Sequence, residues 1–298
     1  MFLNYLGALP GAICQGIIWG IMAIGVYITF KVLDLADLTV DGSICTGACV
    51  CVMAMLNGIH FALAMLLAFL AGIICGLVTG IFHTLLGIPA ILAGILTQLG
   101  LWSINLKILG RASQTLTTDR RLISQVDIGN SVWKLFLAAA ILIAILYGFF
   151  GTELGSAIRA TGNNLRMASA QGINTNLMKI LGLMLSNGIV ALAGALLCQY
   201  QGFGEINMGR GAIVIGLAAV IIGEAVISKI SQNFAVRLTG VIVGGIIYYI
   251  VYQTVIFLGL DPDLLKLLSA IVVAIFLGLP YLKNRYFSKK TVVKGQGA

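Results

Sequence analysis

The sequence predicts an all-α polytopic membrane protein, and three observations carry that reading: the apolar content, the length of the apolar runs, and the placement of the few charges. Of the 298 residues, 60% are hydrophobic and 9% are charged, where a soluble domain carries about 25% charged residues. With a mean hydropathy of +1.06, no soluble fold hides so much apolar surface. A bilayer core roughly 30 Å thick takes about 20 apolar residues per spanning helix, and runs of that length recur from end to end. They are continuous rather than alternating over about ten residues, so they read as helices and not as barrel strands.

In chain order the spans fall near residues 10–31, 40–57, 61–82, 88–106, 131–150, 177–198, 209–228, 237–258 and 265–282, about nine in a range of eight to ten. The first lacks a basic leader and runs straight into a full span, unlike a cleavable signal. The second and seventh open after acidic stretches. The fourth and fifth are followed by the longest polar interruptions, 107–130 and 151–176, which are the chief loops outside the membrane. No separate soluble domain fits, so residues 1–298 read as a single transmembrane domain. The 37 glycines suit close helix approach in lipid. Cys14, Cys45, Cys49, Cys51, Cys75 and Cys198 lie within spans without a CxxC pair, which reads as packing rather than a metal or redox site.

The net charge of +8 does not point to nucleic acid, because much of it lies at helix ends and in the tail Lys283, Arg285, Lys289, Lys290 and Lys294. That distribution reads as anchoring on anionic lipid. With the C-terminus and the 151–176 loop cytoplasmic, the inner side collects Lys31, Arg159, Arg166, Lys179, Lys229, Arg237 and the tail. Lys107, Arg111, Arg120, Arg121, Lys134 and Lys266 are left outside with Asp261 and Asp263. An odd number of spans then puts the N-terminus outside.

An internal repeat is visible. Asp37-Leu-Thr-Val-Asp-Gly-Ser43 follows the first span and Glu205-Ile-Asn-Met-Gly-Arg-Gly211 follows the sixth. Each places an acid, an apolar, a polar and an apolar residue before a glycine, and a new span opens after it. The two lead spans run in opposite directions, so the copies are inverted, with helices interrupted near the midplane, as transporters often are. Ionisable groups at that depth are costly and mark polar cavities. Asp37, Thr39, Asp41, Ser43, Glu205, Asn207 and Arg210 are therefore the candidate solute pathway. Asp41 and Asn207 are also placed to cap the helices that follow them, and Glu205 and Arg210 to pair with each other. Glu224 reads as a solvated helix-end residue or a partner of Lys229. Gln98, Ser103, Asn105, Ser186, Asn187 and Gln199 suit interhelical hydrogen bonds as well as a pathway.

Within the 151–176 loop, Asn164–Gln171 is a short amphipathic helix candidate, with Asn163 or Asn164 as its cap and Gly172 as its stop. So short a helix needs docking to persist, and it carries too little apolar area for an ordinary interfacial helix. A protein partner is the better reading.

The run Arg159-Ala-Thr-Gly-Asn-Asn-Leu-Arg-Met-Ala-Ser-Ala-Gln-Gly-Ile-Asn174 resembles the cytoplasmic coupling loop of ABC importer permeases of the branched-chain amino acid and ribose type. Residues 16–27, GIIWGIMAIGVY, are similar to the first core helix of the branched-chain permeases, and DLTVDGS resembles the DLSVG motif of sugar permeases. Together with Leu92–Thr97, LAGILT, the fuller DLTVDGS looks closest to the subgroup associated with aromatic amino acids. The chain departs from the common loop in having Asn163, Asn164 and Leu165 where Asp, Asn and Pro are usual.

The resemblance implies a permease subunit in a homodimer or heterodimer, fed by an extracytoplasmic substrate-binding protein and driven by two copies of a separate ATPase that binds ATP and Mg. It also implies that Arg159, Ala160, Gly162, Asn163, Asn164, Arg166, Ala168, Gly172, Ile173 and Asn174 couple to that ATPase. No GxxxxGKS/T phosphate loop occurs in the chain, so no cofactor is expected on it. An amino acid is the first solute, with a sugar, a nucleoside or another small solute second. An ion-coupled secondary transporter is the rival, using the buried acids as couplers. His60 and His83 alone assemble no hydrolytic or metal constellation for an enzyme.

Overall fold

The apolar runs become helices because, away from water, a helix satisfies every backbone N–H and C=O within its own segment. A computed structural model describes residues 2–117, 121–227 and 233–258, with Leu267, Ile271 and Ala274. In chain order the helices are α1 (Phe2–Tyr27, prolonged by a π-helical turn at Ile28–Val32), α2 (Val40–Leu56), α3 (Phe61–Thr84), α4 (Ala90–Leu109), α5 (Ile128–Gly151), α6 (Glu153–Asn163), α7 (Leu165–Ala170), α8 (Thr175–Gln201), α9 (Ala212–Ile227) and α10 (Phe234–Phe257). Among the described residues, six are long and apolar enough to cross a membrane: α1, α3, α4, α5, α8 and α10. Helices α2 and α9 are apolar but only 17 and 16 residues long.

Each predicted span up to residue 258 coincides with a helix. Of the ninth, 265–282, only Leu267, Ile271 and Ala274 are described, and the basic tail, Arg120, Lys229, Asp261, Asp263 and Lys266 fall outside the described residues. Helix α1 starts well before residue 10 and carries Pro10 within it. Proline removes one backbone hydrogen bond but does not force a membrane helix to stop. Two three-residue strands, β1 (Ser113–Thr115) and β2 (Phe203–Glu205), pair antiparallel with Ser113 opposite Glu205. They are too short for the period-2 pattern that reveals a strand.

The inverted repeat is present as geometry. Helices α1 and α8 run antiparallel: Tyr200 Oη donates to Gly11 O at 3.4 Å, Ser186 Oγ to Gly25 O at 2.8 Å, and Leu33 packs over Gly182. Helix α1 is flanked by α9 and α10, and α8 by α2 and α3. The triplets α1–α2–α3 and α8–α9–α10 thus repeat one arrangement in opposite directions, each lead helix clasped by the other triplet's second and third. In both, an irregular stretch separates the lead helix from a short second helix, at residues 33–39 and 202–211. The first break lies slightly before the predicted 37–43, because Val40–Ser43 already belong to α2.

Helices α1 and α8 are mostly buried, whereas α4 and α5 are largely exposed. Exposed apolar side chains recur at helical spacing, as at Leu63, Leu66, Leu70 and Ile74 of α3 and at Leu137, Ile141 and Ile145 of α5. Such stripes would be unstable in water and suit lipid, as befits a multi-pass membrane protein.

Candidate functional site

Asp37 lies in the irregular stretch after α1 and is 3% exposed. Its Oδ1 accepts from Thr39 N at 2.9 Å and its Oδ2 from Asn187 Nδ2 at 2.7 Å. Asn187 Oδ1 in turn accepts from Ser43 Oγ at 2.6 Å, and Asn187 Nδ2 also reaches Leu183 O at 3.0 Å. Thr39 Oγ1 meets Thr79 Oγ1 at 2.8 Å, which donates to Thr97 Oγ1 at 3.0 Å. Three predicted pathway residues, Asp37, Thr39 and Ser43, are therefore joined in a buried network spanning α2, α3, α4 and α8. The cause is elementary: buried acceptors require donors, and both carboxylate oxygens have found them. Asn187 gave a signal as a polar residue in an apolar span. Thr79 and Thr97 gave none, since each also bonds the carbonyl four residues back, as threonines in helices commonly do.

Asp41, in the first turn of α2, does not cap its own helix. Its oxygens accept from Gly211 N at 3.0 Å and Ile213 N at 2.9 Å, at the start of α9. The N-termini of both short helices converge on one carboxylate, whose charge favours the positive ends of both. Between β2 and α9 the chain descends along α2: Gly204 abuts Val52, Gly209 N donates to Cys45 Sγ at 3.1 Å, and Gly211 reaches Asp41. Asp41→Ala is expected to lower stability by about 2 kcal/mol through loss of this cap, and Asp41→Asn by less, as read by thermal unfolding in detergent.

A cavity of about 230 Å³ opens beside this crossing, with Asp41, Gln98, Trp102, Asn105 and Arg210 in its walls. Asn105 is 1% exposed, and among the described residues its Oδ1 has no hydrogen-bond partner, nor has the buried Oδ1 of Asn207. Each orphan costs about 1–3 kcal/mol. Asn207 does not cap α9, which starts five residues on; its carbonyl accepts from Arg210 N at 3.1 Å in a turn. Nor do Glu205 and Arg210 pair. Strand pairing holds Glu205 against Ser113, while the turn carries Arg210 to the cavity. Glu224 pairs with Lys31 at 3.1 Å, because α9 brings it to the π-helical turn; Lys229 lies outside the described residues.

At the other end of α8 stand α6 and α7. Thr152 caps α6, accepting from Gly155 N at 3.3 Å, and Asn164 caps α7, accepting from Met167 N at 3.1 Å. Gly172, at φ +80°, ends α7 in the left-handed conformation that glycine allows, and Asn174 Oδ1 caps α8 through Leu177 N at 3.1 Å. The short helix is thus where the sequence places it, with α6 preceding it unforeseen. Gly162 lies so close to the Val32 carbonyl that a Cβ would collide, which fixes α6 against the end of α1. Arg159 Nη2 donates to Phe150 O at 2.8 Å. Arg159, Gly162 and Asn163 border a cleft of about 580 Å³ toward Lys31 and Arg237. Ala168 is buried and Ala160 and Ile173 half-buried, whereas Asn164, Arg166, Gly172 and Asn174 are exposed. Leu165 and Met167 also point outward, at 46% and 60% exposure.

Residues 9–277 match the model of the family described as branched-chain amino acid transport system, permease component. The tyrosine transport system permease protein of Clostridioides difficile is 40% identical over 264 residues, 88% of each chain. An uncharacterized protein of Rickettsia prowazekii is 33% identical over 92% of this chain and 97% of its own. The autoinducer 2 import system permease protein of Yersinia pseudotuberculosis is 31% identical over 64% of this chain and 54% of its own. No solved structure matches. With the family model covering most of the chain and the helical bundle built around two inverted triplets, the protein belongs to the permease components of branched-chain amino acid type transport systems.

Proposed function

We propose that the chain is the solute-conducting subunit of an ATP-driven importer in the plasma membrane, carrying an amino acid, with aromatic amino acids first. The solute reading is supported by the tyrosine permease of C. difficile at 40% identity. Solute arrives from an extracytoplasmic binding protein, two permease subunits face each other, and two copies of a separate ATPase bind ATP and Mg on the cytoplasmic side. The coupling end and the C-terminus are cytoplasmic.

The observation that carries this reading is the projecting α6–α7 segment. It is fastened to the bundle by Gly162 and Arg159, yet it turns Leu165, Arg166 and Met167 outward. Exposed apolar residues on a firmly held projection are what a motor protein can grip. Closure of the ATPase would push this segment and move α5 and α8, to which it is joined. Helix α8 holds the network around Asn187, so its displacement bears on the stretch that leads into α2. The central passage then opens alternately to either side.

Leu165→Glu combined with Met167→Glu tests the coupling. Both side chains are exposed, so thermal stability should stay close to wild type. ATP-driven tyrosine uptake is expected to fall at least about tenfold, the scale of losing an interface anchor, with loss of copurification of the ATPase. Wild-type uptake and complex formation in this variant would remove α6–α7 from the coupling role.

A further inference from the structure

The cavity beside Asp41 has features that packing does not explain. Gln98, Trp102 and Asn105 lie four and three residues apart on α4, so they share one helical face. Trp102, a large aromatic, is 43% exposed, while Asn105 is 1% exposed with its Oδ1 unpartnered among the described residues. A half-turn of that amide presents either its oxygen or its nitrogen to the cavity. From the loop between β2 and α9 comes Arg210, exposed and without an ion pair among the described residues. Asp41 completes the wall, each oxygen already accepting one backbone N–H and keeping a further lone pair. At about 230 Å³ the space is below the roughly 300–1,000 Å³ of drug-sized pockets, a scale suited to a single amino acid.

We propose that this cavity is a solute site on the permease itself, taking an aromatic α-amino acid in its zwitterionic form. Arg210 holds the carboxylate, the ammonium group donates to the Asn105 amide and toward Asp41, and the aromatic ring lies against Trp102. A cation and acceptors in one cavity lining match the two charges of a zwitterion, whereas a neutral sugar leaves Arg210 uncompensated. The indole adds an apolar face with stacking geometry. The proposal rests on the amino acid permease reading and adds that the solute is recognised within the bundle, by residues of α2, α4 and the loop before α9.

The test is equilibrium binding of radiolabelled L-tyrosine to the full-length chain in lipid nanodiscs. Saturable binding is expected. Tyramine, which lacks the carboxylate, and 3-(4-hydroxyphenyl)propionate, which lacks the ammonium, should each compete at least about tenfold more weakly than tyrosine, the scale of one lost charge-assisted hydrogen bond. D-ribose should not compete. Asn105→Leu and Arg210→Gln should each weaken tyrosine binding at least about tenfold, and Trp102→Phe should retain more binding than Trp102→Ala. Arg210 is exposed, so Arg210→Gln keeps the test sound if Asn105→Leu misfolds. Absence of saturable binding, equal competition by tyramine and the propionate, or wild-type binding by Arg210→Gln overturns the site. Uptake by the assembled importer separates the two ideas. Tyrosine uptake without binding in the cavity defeats the site and leaves the amino acid permease standing, while uptake of ribose and not tyrosine defeats the amino acid reading itself.

Discussion

Gly47→Leu is expected to destabilise the bundle by more than about 3 kcal/mol, beyond the usual range for overpacking, and to leave little monodisperse protein after extraction from the membrane. Helices α2 and α8 touch backbone to backbone there: an added Cβ would lie 2.6 Å from the Ala191 Cα and collide with its carbonyl. Neither side of such a contact can rotate away, so the helices must separate. Ser43 lies one turn before Gly47 on the same face, and its 2.6 Å bond to Asn187 Oδ1 would stretch with the displacement. Gly194 of α8 packs on Ile44 in the same seam, so a shift at one glycine disturbs the other. Gly47→Ala should show a smaller loss in the same direction. Size-exclusion profiles and thermal unfolding in detergent read the effect, and a Gly47→Leu protein as stable and monodisperse as wild type would mean that α2 and α8 do not meet at this point.

What the sequence made legible is what short-range chemistry encodes. Continuous apolar runs located eight helices because length and hydropathy alone determine whether a segment can live in lipid. The short helix before Gly172 was legible from its Asn cap and its glycine stop, both local signals. The inverted repeat was legible from DLTVDGS and EINMGRG because both stretches serve one task, leading an irregular chain into a short helix. The partners of those residues were not legible. Asp41 bonds an amide 170 positions away, and Lys31 pairs with Glu224 across 193. Such pairings depend on how helices cross, which no local pattern records. The same holds for Asn105 and Trp102, which become a cavity wall only when the loop before α9 descends along α2.

Asp37→Ala is expected to cost about 3 kcal/mol, the scale for removing one partner of a buried, hydrogen-bonded charged or polar group. The loss would orphan the Thr39 N–H and leave Asn187 Nδ2 with Leu183 O alone. Asp37→Asn should cost less, about 1 kcal/mol, because the network can be rewired. The new amide keeps an oxygen for Thr39 N, and Asn187 can turn its own amide so that its oxygen accepts from the introduced nitrogen. Ser43 Oγ, a donor to Asn187 in the present arrangement, then accepts instead, as a hydroxyl can. Asn187→Ala should destabilise about as much as Asp37→Ala, and the double variant by less than the sum, with a coupling of at least about 1 kcal/mol. Thermal unfolding of the four proteins measures this cycle. Strict additivity would mean that Asp37 and Asn187 do not share a bond, and the link between the stretch after α1 and the centre of α8 would have to be carried by other residues. Transport separates the structural role from the mechanical one: if Asp37→Asn is near wild type in stability yet slow in uptake, the rewired network holds the fold but no longer relays the movement of α8 to α2.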